Sequence, residues 1–287
     1  MKRIFLFVVT NLALMVVLSV VCGLLGVDQG TFMGLLAFAL IFGMGGAFIS
    51  LLLSKPMAKW STRAKTIDGR EGETEGWLIR TVEQLARQAN ISMPEVAVYP
   101  GDPNAFATGA FRNRALVAVS TGLLNSMRPA EIRAVLSHEI GHVASGDMVT
   151  MTLLQGVLNA AVLLLARVIG VAVDRAVFNT RRGVGLGYHL TRMVLQLVLG
   201  ILASMIVMAF SRRREFAADA SAARYLGSPT DMIAALQRLG GLVPGELPAS
   251  MKAFGIGAPG RLATLLSSHP SLEARIARLR DLQLAPP

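Results

Sequence analysis

Ser137-His138-Glu139-Ile140-Gly141-His142 holds two imidazoles four positions apart with a carboxylate between them. On a helix, residues i and i+4 lie one turn apart on the same face, so His138 and His142 can reach one Zn2+ per chain. Glu139 stands beside them, placed to hold a water and take its proton. That combination suits hydrolysis. The alternative is a pair of packed or solvated histidines. The chain has only 4 histidines, and two of them fall at ligand spacing around a glutamate, which favours the metal.

The flanks predict a helix over Pro129 to Ala144. Pro129 is tolerated in a first turn and Glu131 favours the positive N-terminal end. Ile132, Val135, Leu136, Ile140 and Val143 recur at helical spacing. Gly141 leaves little bulk beside the metal.

A catalytic zinc site needs a third protein ligand and an open position. The extended pattern that continues to Gly and a third His fails, because Ser145 and Met148 occupy those positions. The best candidate is Glu215, four residues before Asp219 and on the same helix face. Asp219 would then accept a hydrogen bond from a ligating imidazole and fix its tautomer. Asp147 reads equally as a second such carboxylate or as a helix-end residue. The alternative for Glu215 and Asp219 is an exposed acidic pair compensating Arg212, Arg213 and Arg214, although Ala217, Ala218 and Ala220 favour close helix packing. His189, His269 and Asp147 compete with Glu215 as ligands.

These groups sit in an apolar chain. Of 287 residues, 53% are hydrophobic and 16% charged, which indicates membrane segments. The net charge is 28 − 18 = +10. No basic stretch is interleaved with aromatics, so nucleic acid is not an expected partner and the lipid bilayer is. A single cysteine, Cys22, excludes an intramolecular disulfide. Ile4 to Val27 carries no charge and is long enough to span a bilayer. A signal peptide is the alternative, but no small-residue cleavage site follows. Asp28-Gln29-Gly30 makes a turn. A second charge-free run extends to Ser54, followed at once by Lys55, Lys59, Arg63 and Lys65, which places that segment in the cytoplasm. Met148 to Ala166, continuing to Val173, and Met193 to Ser211 form two more runs. The connector between them carries Arg175, Arg181, Arg182 and Arg192, against the positive-inside rule. Because His142 and Glu215 must meet, the chain between them crosses the membrane an even number of times. The helical rise puts the metal on the order of 10 Å from the apolar runs, close to the membrane surface.

Around the motif, Trp77 to Ala89 reads as a helix after a loop at Asp68 to Gly76, and Glu95 to Tyr99 and Ala115 to Ser120 as strands. Between the strands, Asn104, Ala105, Phe106 and Ala107 are a candidate edge strand for an extended peptide substrate, with an ordinary loop as the alternative. Beyond Glu215, a helix over residues 228–240 leads to a Gly- and Pro-rich stretch at 241–260, a candidate flap with Met251, Phe254 and Ile256. Ser271 to Gln283 reads as an amphipathic helix. His269 and Arg275 are candidates for oxyanion or substrate support.

Taken together and in order, these residues resemble the HtpX-type membrane zinc metalloproteases, bacterial relatives of the CAAX prenyl proteases. The match runs through Pro103-Asn104-Ala105-Phe106-Ala107-Thr108-Gly109, the His138 motif with Gly146-Asp147, Glu215-Phe216-Ala217-Ala218-Asp219, Ser268-His269-Pro270 and Arg275-Ile276. The resemblance implies a zinc endopeptidase in which His138, His142 and Glu215 bind Zn2+ and Glu139 is the catalytic base. It implies a mainly α fold with a small β-sheet, a gluzincin-like protease domain combined with a transmembrane helical bundle. The expected parts are a transmembrane hairpin at 1–54, a first protease half at 55–147, a second apolar pair at 148–211 and a second protease half at 212–287. The implied role is quality control of membrane proteins at the cytoplasmic face of a bacterial inner membrane, with other quality-control proteases as partners. The other readings are a prenyl-protein processing protease, an inactive membrane adaptor and a metal transporter, the last disfavoured by runs almost free of ionisable residues.

Overall fold

The computed structural model describes residues 16–27, 31–179, 183–241 and 269–282. Several expectations lie outside those residues: the first part of the first apolar run, the 28–30 turn, Arg181 and Arg182, nearly all of the Gly- and Pro-rich stretch with Met251, Phe254 and Ile256, and the end of the last helix at Gln283. The described chain is mainly helical with one small mixed sheet, and it divides into two compact units.

One unit comprises Met1–Ser50 and Thr150–Val207. It takes most of the apolar length of the three helices that, among the described residues, are long and apolar enough to cross a membrane. These are α1 (Phe32–Thr62), α5 (Asp147–Ala176) and α6 (Leu186–Leu226). Residues 16–24 are helical as well. Within α1 a single π-helical turn covers Ile41–Gly45.

Two helices outrun the expected apolar segments. The second run does not stop at Ser54: α1 continues through Lys55, Pro56 and Lys59 to Thr62. Lys55 and Lys59, one turn apart, both pair with the Glu95 carboxylate, which gives the extension a partner. Likewise α6 does not stop at Ser211. No Gly or Pro interrupts residues 211–226, which are rich in alanine and arginine, so the helix runs on and carries Arg214, Glu215 and Asp219 on one rod.

The other unit comprises Leu51–Val149 and Met208–Pro287. Its sheet contains β1 (Lys65–Thr66), β2 (Glu95–Tyr99), β3 (Ala105–Thr108) and β4 (Leu116–Ser120) in the order β1-β2-β4-β3. β2 and β4 are parallel, while β1 and β3 are antiparallel to their neighbours. Every residue of the central β4 is buried, as a strand covered on both faces requires. β3 is an edge strand. Helix α2 (Glu73–Gln88) begins within the expected loop, because Glu73 and Glu75 suit a helix N-terminus. The short β1 and helix α3 (Thr121–Ser126) have no counterpart in the sequence reading.

The core joins Leu78, Val82 and Leu85 of α2 to Val96, Val117 and Val119 of the sheet, and these to Ile132, Leu136 and Ile140 of α4 (Pro129–Ser145). Met232 and Leu236 of α7 (Thr230–Leu239) and Ile276 and Leu279 of α8 (Leu272–Arg280) complete it. Helix α4 is well bounded. The Glu131 carboxylate accepts from the Arg128 backbone N–H at 2.9 Å, and Gly146 closes the other end with φ 70°, the left-handed value that glycine adopts freely. α5 starts at the next residue, so Asp147 is fixed one turn from His142.

Gly141 has a more specific use than leaving space at the metal. A Cβ there would lie 3.3 Å from Ser221 Cβ and 3.4 Å from the Ala218 carbonyl oxygen of α6. The missing side chain lets α4 and α6 approach. Gly141→Val should force them apart, lowering stability by about 1–3 kcal/mol and reducing metal content together. Thermal unfolding and bound-metal analysis read both. Unchanged metal content would show that the spacing is not critical.

Candidate metal centre

His138 and His142 project from α4 with ring planes at 87° and centroids 4.6 Å apart. Their Nε2 atoms are 3.1 Å apart. From α6, Glu215 brings Oε2 to 3.6 Å from His138 Nε2 and Oε1 to 3.3 Å from His142 Nε2. All three residues are buried. The structure therefore gathers His138, His142 and Glu215 into one group with ligand atoms within 4.8 Å of one another. Glu215 is not the exposed acidic residue of the alternative reading. Its rival His189 lies edge-on to Tyr188 in the other unit. Asp147 and His269 touch the group without joining it.

Carboxylates hold the far nitrogens. His142 Nδ1 lies 2.6 Å from Asp147 Oδ2, and His138 Nδ1 lies 2.9 Å from Asp219 Oδ1. With Nδ1–H donated to a carboxylate, each Nε2 presents its lone pair to the common centre. Each carboxylate meets an arginine in turn. Arg275 donates from Nε to Asp219 Oδ2 at 2.7 Å and from Nη2 to Oδ1 at 2.6 Å. Arg214 Nε lies 2.9 Å from Asp147 Oδ2, an ion pair whose N–H is not aimed at the oxygen.

The group fits a divalent metal on two counts. Atoms about 2.0–2.1 Å from a tetrahedral centre lie roughly 3.3 Å from one another, and the Nε2 and Glu215 separations bracket that value. The charge also matches. With Glu139 ionised, as a base must be, Glu139, Asp147, Glu215 and Asp219 against Arg214 and Arg275 give −4 + 2 = −2 when the imidazoles are neutral. A divalent cation cancels that. Without one, protons on the imidazoles do so. Burial works against protonated His142, but Asp147 and Glu215 outweigh it and lift its pKa to about 9. His138 is pushed up in the same way, Asp219 and Glu215 overcoming burial.

Glu139 is partly buried next to the edge strand and accepts the Ala107 backbone N–H at Oε2, 2.8 Å. Burial pushes its pKa up, with the Glu215 charge adding to this against the two histidines. Ser120 N–H donates to the Asn104 carbonyl, and the register pairs Ala107 with Val117. Alternation along β3 therefore turns the backbone groups of Ala105 and Ala107 outward and those of Asn104, Phe106 and Thr108 toward β4. The Phe106 ring tilts against Tyr99, 5.5 Å away.

The two supporting candidates separate. His269 is exposed, with Nδ1 2.8 Å from Glu215 Oε2. Arg275 is buried and engaged with Asp219, with its guanidinium behind the imidazole, an arrangement suited to supporting the site from a distance. Arg214 was missed by sequence reasoning, which read it only as one of three arginines that an acidic pair would compensate. Its contact with Asp147 joins residues far apart in the chain, and no local pattern encodes it.

A family model described as Peptidase family M48 matches residues 73–283. A protein named "Protease HtpX homolog" from Bordetella pertussis is 58% identical over 292 aligned residues, covering 99% of this chain and all of that protein. One of the same name from Herminiimonas arsenicoxydans is 57% identical over 293, again across 99% of this chain. Among solved structures, S. mikatae Ste24p matches with a TM-score of 0.66 at 20% identity over 97% of this chain, which spans 64% of that protein's length. This last likeness concerns the fold. The family match and the end-to-end relatives agree with three membrane-length helices and a buried His-His-Glu group: the chain is a membrane protein and belongs to the metalloproteases of peptidase family M48.

Proposed function

We propose that the chain is a zinc endopeptidase that cleaves membrane proteins and their cytoplasmic segments at the inner face of a bacterial plasma membrane, as part of protein quality control. The observation that carries the reading is the convergence of His138, His142 and Glu215 with Glu139 beside them. The basic segment following the second apolar run supports the cytoplasmic orientation.

A bound Zn2+ would supply Lewis acidity, making water more acidic and polarising a carbonyl. The chain supplies the rest. His138, His142 and Glu215 hold the ion. Asp219 and Asp147 keep the imidazoles in the tautomer that exposes Nε2. Glu139 takes the proton of the attacking water and returns it to the leaving amine, a task that its raised pKa suits. Outward-facing backbone at Ala105 and Ala107 offers an extended peptide a track that passes Glu139. His269, exposed beside Glu215, is the candidate donor to the developing oxyanion.

Glu139→Gln should keep its zinc and lose cleavage of a membrane substrate by about 10²–10⁴-fold. Undiminished cleavage would remove Glu139 from the role. Glu215→Ala should weaken zinc binding by more than the roughly 10–100-fold typical of losing an outer partner; wild-type zinc content would move the third ligand elsewhere.

The titration of His142 gives a third expectation. Its folded pKa, about 9, lies above its unfolded value of 6.5. In metal-free protein the stability this contributes is complete below 6.5 and is lost as pH rises toward 9. Metal needs the neutral imidazole, so zinc affinity should fall as pH drops below that value. At pH 7, binding should release about one proton or more. Calorimetry in buffers of different ionisation enthalpy measures the release, and a heat independent of buffer would contradict it.

A further inference from the structure

Two arginines at the centre have no part in the hydrolytic scheme. We propose that Arg214 and Arg275 are positioning residues of the metal centre, each holding the carboxylate that fixes one ligand imidazole, Arg275 by geometry and Arg214 by charge. The inference rests on the metal reading given above and extends it.

Each imidazole depends on a carboxylate that is itself buried, Asp219 at 2% and Asp147 at 8% exposure. A buried carboxylate needs a cation, and one able to turn freely would not hold a ring. At Asp219, the Arg275 fork occupies both oxygens, at 2.7 and 2.6 Å. That fixes the carboxylate plane and sets Oδ1 at 2.9 Å from His138 Nδ1. Arg275 Nη1 also lies 3.5 Å from Glu215 Oε2, so one guanidinium serves two helix positions of α6.

At Asp147 the arrangement differs. Oδ2 takes the His142 contact at 2.6 Å and has Arg214 Nε at 2.9 Å without an aligned N–H. The attraction there is mainly coulombic. Arg214 directly precedes Glu215 on α6, so consecutive residues act on the two ring nitrogens of His142, one through Asp147 and one at Nε2. A lysine is a compact point charge and cannot reproduce a planar fork. Lysine should therefore replace Arg214 and fail to replace Arg275.

The test uses the zinc-loaded full chain in detergent, with a chelating dye capturing released metal below the melting temperature. Arg275→Ala and Arg275→Lys should both speed zinc release by roughly 10–100-fold. Arg214→Ala should speed it by about tenfold and Arg214→Lys by less than about threefold. Arg213→Ala and Arg278→Ala, at exposed positions of the same two helices, should release zinc at the wild-type rate. A merely structural role would lower the melting temperatures of loaded and stripped protein together and leave release unchanged, which would overturn the proposal. Equal loss in the Arg213 or Arg278 variants would overturn it too, by showing general electrostatics. If the alanine variants do not fold, the lysine variants decide: faster release from Arg275→Lys than from Arg214→Lys supports the assignment, and equal rates overturn it. A wild-type chain that takes up no zinc, or a His138→Ala variant that keeps it, would instead sink the metal reading.

Discussion

Four carboxylates, two guanidinium groups and two imidazoles share one small volume, and their imbalance of −2 governs everything built around them. Removing one partner from a buried charged group costs about 3–5 kcal/mol, because the other is left without compensation. Removing the charge of one buried member therefore destabilises the others. The candidate ligands, the carboxylates behind them and the arginines behind those form a single electrostatic unit. The need for +2 is answered either by a metal ion or by protons, which is why the histidines are basic when metal is absent.

Helix geometry meets this constraint with few parts. α4 supplies both imidazoles and Glu139. Its left-handed stop at Gly146 puts Asp147 under the second ring. α6 is one uninterrupted rod, so Glu215 and Asp219 share a face one turn apart, while Arg214 points about 100° away from Glu215 and meets Asp147 instead. The absent side chain of Gly141 brings the two helices close enough for the ligand atoms to meet. The edge strand closes the group through one backbone N–H, that of Ala107, on Glu139.

Much of this was legible in the sequence because it is local. His138 and His142 declare their shared face by spacing, and so do Glu215 and Asp219. The strands at 95–99 and 116–120 show in their runs of valine. Less legible were features set by distant partners. Lys55 and Lys59 read as a basic membrane flank, yet they carry a helix forward by pairing with Glu95. The charge-free run ends at Ser211, but its end does not show how far the helix continues; no Gly or Pro stands at 211–226 to stop it. Asp147 was balanced between two readings because its partners, His142 on one side and Arg214 on the other, meet only in the fold. Arg275 was a candidate for support of the site, but the sequence does not show Asp219 across from it.

Arg275 has one more consequence, which concerns the order of synthesis. A ribosome makes α4, α5 and α6 well before it makes α8, and the lock on Asp219 and His138 comes only from α8. A growing chain can thus have threaded its apolar helices into the bilayer while its hydrolytic centre still lacks a part. On the role proposed for Arg275, the candidate centre is complete only once α8 has been made and has docked.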